Sequence, residues 1–224
     1  MSRSLTLLAG AVVLAAALPA SPAAADFVTP VWDRPADDSQ ATGTLTTLQG
    51  YDTFAGTTDQ TPDVVDINPN GSALLSELTG GAFVAGSGNI YSPGVATQFL
   101  VSLPAFDADA AGTNFQVQIR TQGSELDIAS LQLDGAPASD LPGYAYEELD
   151  RVVLGGFGGS LVDHRFTFFT PTTADSFDLT FGAAGSSMSL DAVTIDTFAS
   201  VNVVPEPASL TGLGLTGLLL IRRR

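Results

Sequence analysis

The sequence predicts an all-β fold, an antiparallel β-sandwich of jelly-roll type, and three observations carry that expectation. Apolar and polar residues alternate through much of the chain, as where Phe115, Val117 and Ile119 interleave with Gln116, Gln118 and Arg120. Turn-forming clusters break these runs at short intervals. Helical periodicity is scarce between Asp26 and Val204, and no internal repeat is visible. Short alternating strands rich in β-branched and aromatic residues bury one face each, and two such sheets stacked face to face satisfy both.

In chain order, the first element is a leader. Arg3 supplies a positive start, Leu5 to Leu18 form an apolar stretch, and Pro19 and Pro22 break it. Ala23-Ala24-Ala25 then offers small residues to a signal peptidase, so residues 1–25 read as a signal peptide. Cleavage after Ala25, with Ala23 at the other small-residue position, makes Asp26 the first mature residue.

The body, residues 26–204, suits one domain. Asp26 to Gln40 read as an edge or linker, and Asn68-Pro69-Asn70-Gly71 as a turn. Ser72 is placed to cap a short helix over 71–78, with Leu74, Leu75 and Leu78 at helical spacing. Further turns are expected at Ser87-Gly88-Asn89, Ala111-Gly112-Thr113, Asp134-Gly135 and Gly155-Gly156-Phe157-Gly158-Gly159. Between them lie the Phe115 run, two shorter pieces (Leu126-Asp127-Ile128 and Leu131-Gln132-Leu133), and a strand with Val162, His164, Phe166 and Phe168 on one side. Phe177, Leu179 and Phe181 alternate with Asp178 and Thr180. In Leu190-Asp191-Ala192-Val193-Thr194-Ile195-Asp196 the apolar register shifts between Leu190 and Val193, which predicts a bulge. Those seven residues resemble the closing strand of carbohydrate-binding-module and galactose-binding-like sandwiches.

Charge narrows the function classes. All eight basic residues are arginine, and the body holds four of them against 23 acidic residues, a formal charge of −19. Such a surface repels nucleic acid, because it lacks the basic contacts that release phosphate counterions. The chain has no cysteine, which excludes disulfides, thiolate metal sites and a cysteine nucleophile. The core must therefore hold the fold unaided or with a bound metal.

No catalytic residue is assigned. His164 is the sole histidine, flanked by Asp163 and Arg165, and no G-x-S-x-G elbow accompanies it. Sharing a strand face with three apolar residues, it reads as a satisfied core histidine. The acids Asp37/Asp38 and Glu147/Glu148/Asp150 read as a solvated face, although a glycosidase could use Glu147 or Asp150 if two carboxylates met across a cleft. Asp107 and Asp109, with Gly112, fill positions 1, 3 and 6 of an EF-hand-like loop. Ala111 at position 5 and Gln118 at position 12 leave that loop incomplete, so a structural calcium ion is the one cofactor the sequence admits. Tyr144 and Tyr146 alternate beside Glu147 and form the sugar-stacking platform the sequence suggests, with core contact as the competing reading.

The tail, residues 205–224, is the most specific segment. Pro205-Glu206-Pro207 is followed by Ala208-Ser209, an apolar run to Ile221, and the basic stop Arg222-Arg223-Arg224. The prolines forbid helix and leave an accessible strip. As a helix, the fourteen residues Ala208 to Ile221 would reach ~21 Å, short of a bilayer core of ~30 Å. They suit a thinned membrane with the arginines on the cytoplasmic side. Gly212, Gly214 and Gly217 spell G-x-G-x-x-G, but no strand precedes them and no acidic ribose ligand follows, so a dinucleotide site is excluded.

This tripartite tail resembles the PEP-CTERM sorting signal of bacteria that make extracellular polysaccharide. The resemblance implies an exosortase-type membrane processing enzyme as partner, cutting near Pro205, Glu206 and Pro207. It implies a transient inner-membrane anchor and then release to the cell surface or extracellular matrix. The expectation is a non-enzymatic exported surface or matrix protein. The alternative is a carbohydrate-binding module for extracellular polysaccharide, with calcium as an optional support.

Overall fold

The computed structural model describes residues 46–51, 53–62, 64–65, 71–105, 112–155 and 158–199, apart from the side chains of 46–49 and 64–65. Ala23, Ala25, Asp26, Asp107, Asp109, Pro205, Glu206, Pro207 and Arg222 to Arg224 lie outside the described residues, as does the turn at Asn68–Asn70.

Two antiparallel sheets pack as a β-sandwich. The strands are β1 (Thr46–Tyr51), β2 (Val64–Val65), β3 (Leu74–Glu77), β4 (Phe83–Val84), β5 (Ile90–Tyr91), β6 (Gln98–Pro104), β7 (Thr113–Gly123), β8 (Leu126–Leu133), β9 (Ala136–Pro137), β10 (Ala145–Val153), β11 (Ser160–Thr170), β12 (Ser176–Ala183) and β13 (Met188–Ala199). The larger sheet runs β10-β11-β7-β13-β1-β2, and the β4–β5 hairpin joins it along β13. The smaller runs β3-β6-β12-β8-β9.

Alternation dictates the inner faces. Phe115, Val117 and Ile119 of β7 pair with Phe168, Phe166 and His164 of β11, and all six are buried toward the second sheet. Phe177, Leu179 and Phe181 answer from β12. The phenylalanines join the sheets: Phe115 stacks on Phe168 at 5.1 Å and meets Phe177 edge-on at 5.2 Å. Phe99 stacks on Phe181 at 5.3 Å within the smaller sheet.

Two local expectations are met in detail. At Asp134-Gly135 both residues have positive φ, 51° and 79°, so a two-residue turn joins β8 to β9 with the twist a hairpin needs. The register shift in β13 falls between Leu190 and Ala192. This bulge separates the stretch of β13 that pairs β5 from the stretch that pairs β1.

Three expectations need correction. Residues 71–78 form no helix: Leu74–Glu77 is strand β3, with Leu75 opposite Val101 of β6. Ala73 and Leu75 are buried while Leu74 and Leu78 are about half exposed, which is period two rather than 3.6. The backbone ladder offered by β6 outweighs the spacing of three leucines. The two pieces Leu126–Ile128 and Leu131–Leu133 are one strand, β8, whose register against β12 breaks at Thr180/Gly182. Finally, the strands are not uniformly half-buried. On the outer face of the larger sheet Gln116, Gln118, Asp163, Thr167, Thr194 and Asp196 are also buried, so alternation there marks polarity and not exposure.

The edge strand β10 carries Glu147, Glu148, Asp150 and Arg151 and breaks register with β11 between Glu148 and Asp150. Charge and a bulge on an exposed edge oppose pairing with a second chain.

Candidate functional site

Three segments converge at one end of the larger sheet because glycines let their backbones touch. Gly123 ends β7 with φ 90°, and Gly159 enters β11 with φ 87°. A Cβ on Gly159 would sit 2.5 Å from the Gly123 carbonyl oxygen, and one on Gly123 would collide with the Ser187 carbonyl. Opposite them, Gly88 with φ 81° turns the β4–β5 hairpin, as the Ser87-Gly88-Asn89 signal predicts.

Between these walls lies an open groove of about 770 Å³, within the range of small-ligand sites. Ser87, Asn89, Tyr91, Gln122, Ser124, Ser187 and Ser189 supply its polar lining, and among the described residues no charged side chain contributes. Asn89 is fixed in place: its Nδ2–H donates to Ser189 Oγ at 2.6 Å, and its Oδ1 accepts from the Ser87 hydroxyl.

Strand register extends the groove into a row. Phe83 pairs Tyr91, Tyr91 pairs Ser189, Ser189 pairs Gln122, Gln122 pairs Leu161, and Leu161 pairs Val152. Directly paired residues present their side chains on one face. The row thus crosses six strands, about 24 Å at the usual inter-strand spacing. Phe83 is 50% exposed and meets Tyr91 edge-to-face with ring centroids 5.8 Å apart.

Tyr144 and Tyr146 are not brought to this groove. Both are half-buried against the core. Tyr146 lies across Phe166 at 5.1 Å, and its hydroxyl is 3.1 Å from His164 Nδ1. On the other side of the ring, His164 Nε2 is 3.4 Å from Thr121 Oγ1. A neutral imidazole satisfies both contacts, accepting from the tyrosine at Nδ1 and donating to the threonine from Nε2. Beside it Arg151 binds Glu148 through two bonds of 2.7 and 2.8 Å and Glu125 through one of 2.6 Å. Arg151 holds both carboxyls below the ordinary range. Neither is therefore kept protonated as a general acid. Glu147 turns instead to Arg165, and an Asp150 carboxylate oxygen accepts from the Arg151 backbone N–H. Among the described residues no three His, Cys, Asp or Glu side chains are grouped to hold a metal.

Burial lowers the pKa of His164, and the charges of Glu148 and Glu125 oppose that shift while Arg151 reinforces it. The unfolded chain then binds a proton that the folded chain excludes, so this contribution to stability is complete above the unfolded value of about 6.5 and is lost as pH falls below it. Urea midpoints measured across that window should fall with pH, and the His164→Asn variant should lose this slope whatever its absolute stability. A second loss below about 4.5 belongs to Glu125 and Glu148, whose folded pKa values are depressed.

Compared with protein-family models, curated proteins and solved structures, the chain matches none. The groove residues Asn89, Gln122 and Ser189, and Phe83 in the row beside them, were not legible as a set in the sequence. The turn signals at Ser87-Gly88-Asn89 and at 155–159 were the local signals, and they reveal loops without revealing what those loops lie beside.

Proposed function

We propose that this chain is an exported cell-surface or extracellular-matrix protein, sorted through its tail by an exosortase-type enzyme and acting by interaction rather than catalysis. The observation that carries this reading is the order Pro-Glu-Pro, apolar run and triple arginine at 205–224, which follows the described sandwich in the sequence. Its last strand, β13, ends at Ala199 and is paired on both sides, by β7 and β1. A cut near Pro205 to Pro207 therefore leaves every described strand in place. The acidic, cysteine-free composition suits an extracellular body that depends on its core alone.

The finer fold assignment is part of the proposal. Of the eight long strands, β1, β7, β10, β11 and β13 lie in the larger sheet and β6, β8 and β12 in the smaller, and the chain changes sheet between successive long strands except from β10 to β11. We read this wrapping as a jelly roll.

Replacing Pro205, Glu206 and Pro207 together by alanine tests the sorting reading. Mass spectrometry and cell fractionation should then find the chain untrimmed and held with the membrane. Unchanged trimming and delivery would remove the proposal's support. A second reading, a carbohydrate-binding module for extracellular polysaccharide, is favoured by the neutral groove and by the half-exposed Phe83 beside its Tyr91.

A further inference from the structure

We infer that the row from Phe83 to Val152 is a binding surface for an uncharged polysaccharide chain lying across the strands, with Phe83 and Tyr91 as its stacking platform. The inference rests on the second reading above and names the site and the ligand class. Sugar rings present apolar C–H faces and a rim of hydroxyls, and this surface offers a partner for each. Phe83 presents an exposed aromatic ring braced edge-on by Tyr91. Beyond it Asn89, Ser189 and Gln122 supply amide and hydroxyl groups that both donate and accept. Leu161 and Val152 close the far end, with Val152 48% exposed.

Charge selects among polysaccharides. Among the described residues no cation lines the groove, and the whole chain carries a formal charge of −16, so a uronate or sulfate polymer meets repulsion. Length selects polymer over monosaccharide, because about 24 Å of aligned surface exceeds one ring several times. Preorganisation favours binding as well. The Ser87–Asn89–Ser189 hydrogen bonds and the Gly123–Gly159 contact set the walls before any ligand arrives.

The test uses the full chain in affinity electrophoresis and calorimetry against neutral polymers (a β-glucan, a galactan, a dextran), an anionic polymer (alginate) and free glucose. A neutral polymer should bind, alginate and glucose should bind far more weakly, and Phe83→Ala and Gln122→Ala should each weaken the neutral polymer about tenfold. Circular dichroism and thermal melting should be unchanged for Phe83→Ala, whose ring is half in solvent. Neutral-polymer binding within twofold of the parent in the Phe83→Ala/Gln122→Ala double variant would overturn this site while leaving a carbohydrate-binding module elsewhere on the sandwich. Preference for alginate would overturn the ligand class. No binding to any polysaccharide would overturn the module reading itself.

Discussion

Phe115→Ala should lower the stability of the sandwich by about 3–5 kcal/mol, the range for truncating a fully buried phenylalanine. Phe115 has no exposed surface and sits where both sheets meet. It stacks on Phe168 of its own sheet and takes Phe177 of the other edge-on. Removing the ring opens a cavity bounded by two further rings, neither of which can collapse into it without leaving its own strand position. Two costs add: the lost transfer of the ring from water, and the cavity that remains. For a domain of this size the melting temperature should drop by about 6–20 °C.

The control for that loss is Phe83→Ala. The residue type is the same, but half of the ring is already in water, and among the described residues its one aromatic neighbour is Tyr91. Its cost should stay within about 1 kcal/mol. If thermal and urea unfolding gave the two variants similar losses, the assignment of Phe115 to a shared core between sheets would fail. The contrast matters for function too, since it separates the phenylalanine that holds the sheets together from the one proposed to meet a ligand.

How much of this could be read before the fold was seen depends on the range of the cause. Period two is local, so the inner faces of β11 and β12 were visible as Val162, His164, Phe166 and Phe168 and as Phe177, Leu179 and Phe181. The bulge at Leu190/Ala192 was visible for the same reason, because a slipped apolar register within one strand needs no knowledge of a partner. The helix expected at 71–78 failed because Leu75 is claimed by Val101, a partner that local spacing cannot reveal. Tyr146 alternates correctly, but which face it takes follows from pairing with Phe166, and that pairing sends it toward His164 rather than outward. The groove was least legible of all. Phe83, Tyr91, Ser189, Gln122, Leu161 and Val152 come from six strands, and their alignment is a property of five registers together.

Asp163→Ala should cost about 2–4 kcal/mol, somewhat below the figure for breaking a fully buried ion pair, because Arg120 stays partly in water. Asp163 faces Arg120 directly across β11 and β7, accepting from Nε at 2.6 Å and from Nη2 at 2.8 Å. Side-chain exposure is 7% for the aspartate and 21% for the arginine. Without the carboxylate, the guanidinium keeps most of its desolvation cost and loses its fork-shaped partner. Asp191 lies close enough to feel Arg120, and burial raises its pKa, so its carboxylate already carries a desolvation cost of its own. Replacing both members, as in Arg120→Met/Asp163→Leu, should recover most of the loss, since apolar residues of similar volume carry no charge to desolvate. A double-mutant cycle in urea at neutral pH measures the coupling, and a loss below about 1 kcal/mol in Asp163→Ala would show that water already solvates Arg120. The pair lies two residues along each strand from Gln122 and Leu161, on the same face as the groove. Polysaccharide binding should therefore weaken in the single variant and return in the double, if this ion pair acts by holding that floor flat rather than by its charge.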